Sequence, residues 1–233
     1  GTPVFVSIFA GSSEEFGQLA GRIAEAKPDL IEVNVSCPNV ESEFGIPFAA
    51  DPEACGRVAR AVKDAAGRIP VAIKLSAQCA SIARMAEECQ RNGADAITAI
   101  NTVGPGMWID TGVGRPVLSN RVGGVSGTAI LPIAVRAVYE IRQAVDLPII
   151  GTGGVSCADD VLQLVMAGAD AVGVGSGIYG GGVELFGEIH RGLREWMAAR
   201  GFESLAQVKG MAQDTTSISN IQHPTSNTQG NSQ

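Results

Sequence analysis

Residues 30–35, "LIEVNV", set Ile31, Val33 and Val35 against Glu32, Asn34 and Ser36, the two-residue period of a half-buried β-strand. Residues 3–9, 71–75, 96–100, 147–154 and 171–176 predict five more short strands, apolar and rich in Val and Ile as buried parallel strands are. Between them, residues 12–26, 51–67, 81–92, 131–145, 157–168 and 184–200 predict helices. Ser12 opens the first with acids behind it, Asp51 and Pro52 open the second, and Gly93 closes the third. One long glycine-rich connection, between residues 101 and 130, interrupts this order.

Strands alternating with helices predict parallel strands joined by right-handed crossovers. The fold class read from this order is α/β, a (β/α)8 TIM barrel with about six of its eight β/α units present, in preference to an open doubly wound sheet. The chain enters its first strand directly after Gly1 and Thr2, so the first two units are expected to be missing from this sequence. Residues 1–212 are expected to form one N-terminally incomplete barrel. Residues 213–233, mostly Ser, Thr, Asn and Gln, are expected to be a disordered polar tail.

Composition narrows the function classes. The chain has 233 residues, 45% of them hydrophobic and 18% charged, which suits one large globular domain. A net charge of −7 argues against nucleic acid or an anionic membrane as partner, and no apolar run approaches a spanning length. Five cysteines without CxxC or Cys/His clustering offer neither a disulfide framework nor a metal site, and fit a cytoplasmic protein. Only His190 and His223 are available, so a Ser-His-Asp arrangement has little support.

In a barrel of this kind the working groups gather at the C-terminal strand ends. Those ends carry Asn34, Ser36, Cys37 and Asn39; Lys74 and Ser76; Asn101 and Thr102; Gly151, Gly153 and Gly154; and Gly175, Ser176 and Gly177. Bare backbone amides in the last two clusters suit a phosphate, with "GGVSG" at residues 123–127 a possible third stretch; the plain alternative is tight turns alone. Lys74, in an apolar strand, needs a partner. That partner is either a nearby carboxylate or an electron-rich cofactor ring whose anionic form the ammonium would stabilise. Cys55, Cys79 and Cys89 read as core thiols, and Cys157, at a helix start, as mainly structural. Cys37, at a strand tip, reads equally as a core thiol or as a general base, since an ordinary thiol titrates at ~8.5.

The segments "NVSCPN", "IPVAIKLS", "GADAITAINTVGPGMWID", "NRVGGVSGTAILPIAVRAVYEI", "PIIGTGGV" and "GADAVGVGSGI" resemble the class 1 dihydroorotate dehydrogenases, over residues 4–212. The resemblance implies an FMN-containing barrel that oxidises dihydroorotate to orotate in pyrimidine synthesis. It implies Cys37 as the base that removes the C5 proton while the C6 hydride passes to the flavin N5. It further implies Asn34 at flavin and substrate, and Asn39, Asn101 and Thr102 at the substrate's polar edge. Lys74 and Ile100 would lie by the flavin ring, with Gly127, Gly153, Gly154, Gly175 and Ser176 along the ribityl chain and phosphate.

The membrane-bound class 2 enzymes are similar too but carry Ser where Cys37 stands. Within class 1, "GPGMWID" and "GGVSGTAI" look most like the B type, whose barrels pair with a subunit carrying FAD and an iron–sulfur cluster and pass electrons to NAD. A homodimer, or a heterotetramer with that subunit, is implied. The family's first two β/α units have no counterpart here, so the chain as given is expected to bind FMN weakly or not at all, which a flavin spectrum of the purified protein measures. Two alternatives stay open: a dihydropyrimidine dehydrogenase-like FMN barrel, and an inactive truncated barrel with a binding role.

Overall fold

The computed structural model describes residues 1–36 and 48–213. Cys37 and Asn39, and the tail over residues 214–233, lie outside the described residues. The chain runs β1 (Phe5–Ile8), α1 (Ser13–Ala24), β2 (Leu30–Asn34), α2 (Pro52–Ala66), β3 (Val71–Leu75), α3 (Ile82–Arg91) and β4 (Ala96–Ala99). The glycine-rich connection then folds into two small antiparallel ribbons. In these, β5 (Val103–Gly106) pairs with β8 (Gly123–Val125), and β6 (Ile109–Asp110) with β7 (Arg115–Pro116). The regular alternation resumes with α4 (Leu131–Ala144), β9 (Ile149–Thr152), α5 (Ala158–Ala167) and β10 (Ala171–Gly173). A short α6 (Gly177–Gly181) and α7 (Leu185–Arg200) follow.

Six strands form one parallel sheet in the order β1-β2-β3-β4-β9-β10. Every step joins neighbours through a helix, and the arc is six units of a (β/α)8 barrel, as the alternation predicted. Local chemistry sets the boundaries. The Ser12 and Ser81 hydroxyls accept from the Glu15 and Arg84 amides, and the Asp51 carboxylate from the Glu53 amide, so each first turn has its orphan donors met.

The core lies between the outer face of the sheet and the helices. Ile31, Val33, Val71, Ile73, Leu75 and Ile97 are fully buried there, with Val58, Val62, Met85 and Ile141 from α2, α3 and α4. The alternate positions face inward. At the bottom they are small or apolar, where Leu30, Ala72 and Ala96 form a separate buried cluster. Farther along the strands they turn polar, with Glu32, Asn34, Lys74, Thr98 and Thr152.

The structure differs from the sequence reading in several places. The long connection is not all loop, because β5 and β8 approach through glycines. A Cβ on Gly106 would come within 2.6 Å of the Val125 side chain. The fifth and sixth strands stop earlier, at Thr152 and Gly173, where glycines begin. Residues 177–181, absent from the predicted elements, make one short helix. Gln213 donates to the Tyr139 and Ala167 carbonyls, so it is tied to the barrel although it lies one position past the predicted boundary.

Candidate active site at the strand tips

Two walls meet at the C-terminal ends of the strands. The first comes from β2, β3 and β4, whose register sets Asn34 beside Lys74 and Lys74 beside Thr98. The Asn101 side-chain amide donates to Asn34 Oδ1 at 3.0 Å, and Asn101 Oδ1 accepts from the Thr102 amide at 2.7 Å. The main chain beneath them is fixed, because the Asn101 amide donates to the Leu75 carbonyl at 2.9 Å and the Ile100 amide to the Thr152 carbonyl at 2.8 Å. Ser36 Oγ donates to the Lys74 carbonyl at 3.1 Å, so the tip of β2 is latched to β3. Lys74 Nζ lies 3.7 Å from Glu32 Oε1, and that oxygen also accepts from Ser7 Oγ at 3.1 Å.

The second wall is main chain. Gly153 and Gly154 have φ of 128° and 81°, a left-handed region that favours glycine. A Cβ on Gly154 would lie 2.8 Å from the Leu131 nitrogen and 2.9 Å from the Gly127 carbonyl oxygen, so the strand end and the start of α4 close on each other only without a side chain. Gly127 and Gly175 are different, since a Cβ at either would meet nothing within 4 Å. Their missing side chains leave open space rather than close packing.

Between the walls is a cavity of about 630 Å³. Lys74, Ile100, Asn101 and Thr102 line one side, and Gly153, Gly154, Gly175 and Ser176 the other. An adjoining cavity of about 360 Å³ shares Gly154 and Ser176 and adds Gly127. Asn34 does not itself line the larger cavity but stands one hydrogen bond behind it, through Asn101. The structure therefore gathers nine of the predicted site residues around these two adjoining cavities, with Asn34 supporting them. Cys37 and Asn39 lie outside the described residues.

Sequence reasoning missed Ser126, Ile130, Thr152, Ile178 and Tyr179, which also line the cavity. Ser126 and Thr152 lie inside "GGVSG" and "GTGG", where the glycines alone had drawn notice. Glu32 was visible only as sharing a strand face with Asn34 and Ser36.

The remaining thiols stand apart from this space. Cys55 and Cys89 are fully buried between α2 and α3 with sulfurs 3.3 Å apart. The hydrogen bond shared with Cys89 and then burial push the Cys55 thiol well above its ordinary range. Burial likewise raises Cys79, partly offset by a hydrogen bond from the Ser81 backbone. Cys157 is exposed at the start of α5. Among the described residues no cluster of three His, Cys, Asp or Glu side chains could hold a metal, and no helix is long and apolar enough to cross a membrane.

A parallel barrel with an ammonium and paired amides facing a glycine wall belongs to the ligand-holding barrels, whose chemistry is done at the strand tips. Within that class the family model for dihydroorotate dehydrogenase matches residues 1–197, and the chain belongs to that family. It is similar to the dihydroorotate dehydrogenase B (NAD(+)) catalytic subunit of Methanothermobacter thermautotrophicus, at 44% identity over 212 residues, which are 91% of this chain and 69% of that protein. The catalytic subunit of the same name from Methanosarcina mazei is 42% identical, covering 91% of this chain and 66% of its own length. That from Solidesulfovibrio magneticus is 43% identical, covering 90% and 68%. The chain thus spans about two thirds of the length of these relatives.

Proposed function

We propose that this chain is the catalytic barrel of an FMN-dependent oxidation of dihydroorotate to orotate in pyrimidine biosynthesis. The observation that carries the reading is the cavity whose two walls differ in kind, one of amides and an ammonium, the other of bare glycine backbone. Its volume lies in the range of cofactor sites, and the open space at Gly127 and Gly175 suits a phosphorylated group on backbone amides. FMN, when bound, supplies the acceptor for the C6 hydride of dihydroorotate.

The protein's own residues divide the remaining work. Gly127, Gly153, Gly154, Gly175 and Ser176 hold the ribityl and phosphate end through main-chain donors. Lys74 brings positive charge to the ring side, and Ile100 excludes water beside it. Asn101 and Thr102, braced by Asn34, orient the substrate's carbonyl and carboxylate edge together with Asn39. Cys37 takes the C5 proton as general base.

The relatives are named catalytic subunits, so those proteins work with another subunit. For this chain the reading extends to a cytoplasmic homodimer, or a heterotetramer with an electron-transfer subunit holding FAD and an iron–sulfur cluster.

The direct test is orotate formation from dihydroorotate with added FMN and an artificial electron acceptor, with dihydrouracil as the competing substrate. Dihydroorotate is expected to be preferred. Cys37→Ala is expected to lower turnover by about 10²–10⁴-fold, the usual contribution of a positioned base. Unchanged turnover in that variant would remove Cys37 from the chemistry, and a preference for dihydrouracil would reassign the substrate.

A further inference from the structure

Glu32 occupies the inner face of β2 opposite Ala72, one inner-face row below the pair formed by Asn34 and Lys74. Its side chain is 18% exposed and that of Lys74 25%, so both charges are largely withdrawn from water. A carboxylate at that depth needs a cation or hydrogen bonds, and Glu32 has Lys74 at 3.7 Å and Ser7 Oγ at 3.1 Å. On the far side of Lys74, Thr98 offers a hydroxyl and no charge. Its Oγ1 is buried without a hydrogen-bond partner among the described residues. Among the described residues the one ion pair that includes Lys74 is therefore with Glu32.

The backbone of Lys74 is already fixed in the sheet and by Ser36, so the direction of its long side chain is what remains to be set. A separation of 3.7 Å is longer than a direct charge-assisted hydrogen bond, ~2.7–2.9 Å. The ammonium is drawn toward Glu32 yet keeps donors for an acceptor in the cavity it lines.

We propose that Glu32 is a positioning residue that anchors the Lys74 ammonium at the cavity wall and moderates the positive charge presented there. This rests on the reading that Lys74 faces the flavin. Charges a few ångströms apart in a partly buried site are weakly screened, so the carboxylate offsets part of the field of the ammonium. The pair acts as one oriented dipole, its positive end toward the ligand and its negative end held by Ser7.

The midpoint potential of bound flavin in the FMN-loaded protein tests both layers. Lys74→Met is expected to lower the potential by at least a tenfold change in the oxidised-to-reduced ratio, about 30 mV for a two-electron couple. Glu32→Gln is expected to raise it, and the double variant to lie between Lys74→Met and the parent, because the carboxylate offsets only part of the field. If Lys74→Met leaves the potential unmoved, Lys74 does not face the flavin. If Lys74→Met lowers it and the double variant stays equally low, the role of Glu32 falls while that of Lys74 stands.

A second readout needs no flavin: acylation of Lys74 in the free chain, followed by peptide mass spectrometry. Glu32→Gln and the milder Ser7→Ala are expected to speed it several-fold. Lys63, held by Asp95 at 2.6 Å, is the unchanged internal reference. Equal Lys74 rates in all three proteins would overturn the anchoring.

Discussion

Gly154 and Gly175 are both glycines of the cavity wall, but the structure asks different things of them. Gly154 combines a φ of 81° with main chain less than 3 Å from where a Cβ would stand. Gly154→Ala is therefore expected to destabilise the fold by about 1–3 kcal/mol, read as a lower urea midpoint. Gly175 has open space at that position, so Gly175→Ala is expected to leave stability within about 0.5 kcal/mol while weakening FMN binding in a fluorescence titration. Both residues were legible as candidate phosphate contacts, because two glycine clusters at adjacent final strand ends are uncommon for turns alone. Their different duties were not legible, since what a Cβ would strike depends on Leu131 and Gly127, far away along the chain. Lys74 shows the same division. The strand pattern said that it needed a partner, and folding brought both kinds at once, the Glu32 carboxylate and a ligand cavity.

Among the elements, the link from β9 to α5 is the one that joins fold to site, since it carries Gly153 and Gly154 and then leads into the first turn of the helix. Asp160 secures that turn. Its Oδ2 accepts from the Ser156 amide and hydroxyl, both at 2.8 Å, and from the Cys157 amide at 3.1 Å. Asp160 is 8% exposed, and its loss would leave these part-buried donors without their acceptor. Asp160→Ala is expected to lower stability by about 1–3 kcal/mol without changing the denaturant slope, measured by urea unfolding. Helix starts were readable at Ser12, Asp51 and Ser81, because capping is local chemistry within three residues. The ribbons β5–β8 and β6–β7 were not, because β5 and β8 pair through glycines that allow close approach, and β6 and β7 are two residues each, too short to show a two-residue hydrophobic pattern.

At the scale of the molecule, Asp170 ties the segment after α7 to the barrel. It accepts from Arg142 on α4 at 2.8 Å, from the Ile149 amide on β9 at 2.9 Å and from Lys209 at 2.6 Å. Partial burial alone would raise its carboxyl. The hydrogen bonds from Lys209 and the Ile149 amide, with the charges of Lys209 and Arg142, instead hold it below its ordinary value. A lowered native pKa contributes stability that is fully present above the unfolded value of ~3.9 and is lost as pH falls through the native one. Asp170→Asn is therefore expected to melt earlier than the parent protein at pH 5–7, with the gap narrowing below about pH 4, in thermal scans across that range. The sequence by itself determined the parallel β/α order, the helix caps and the strand tips that carry amides, lysine and glycines, because period and capping act over a few residues. Only the tertiary structure decided which groups meet. Asn34 and Asn101 are 67 positions apart and share a hydrogen bond, and Glu32 and Lys74 pair because parallel register sets their strands side by side.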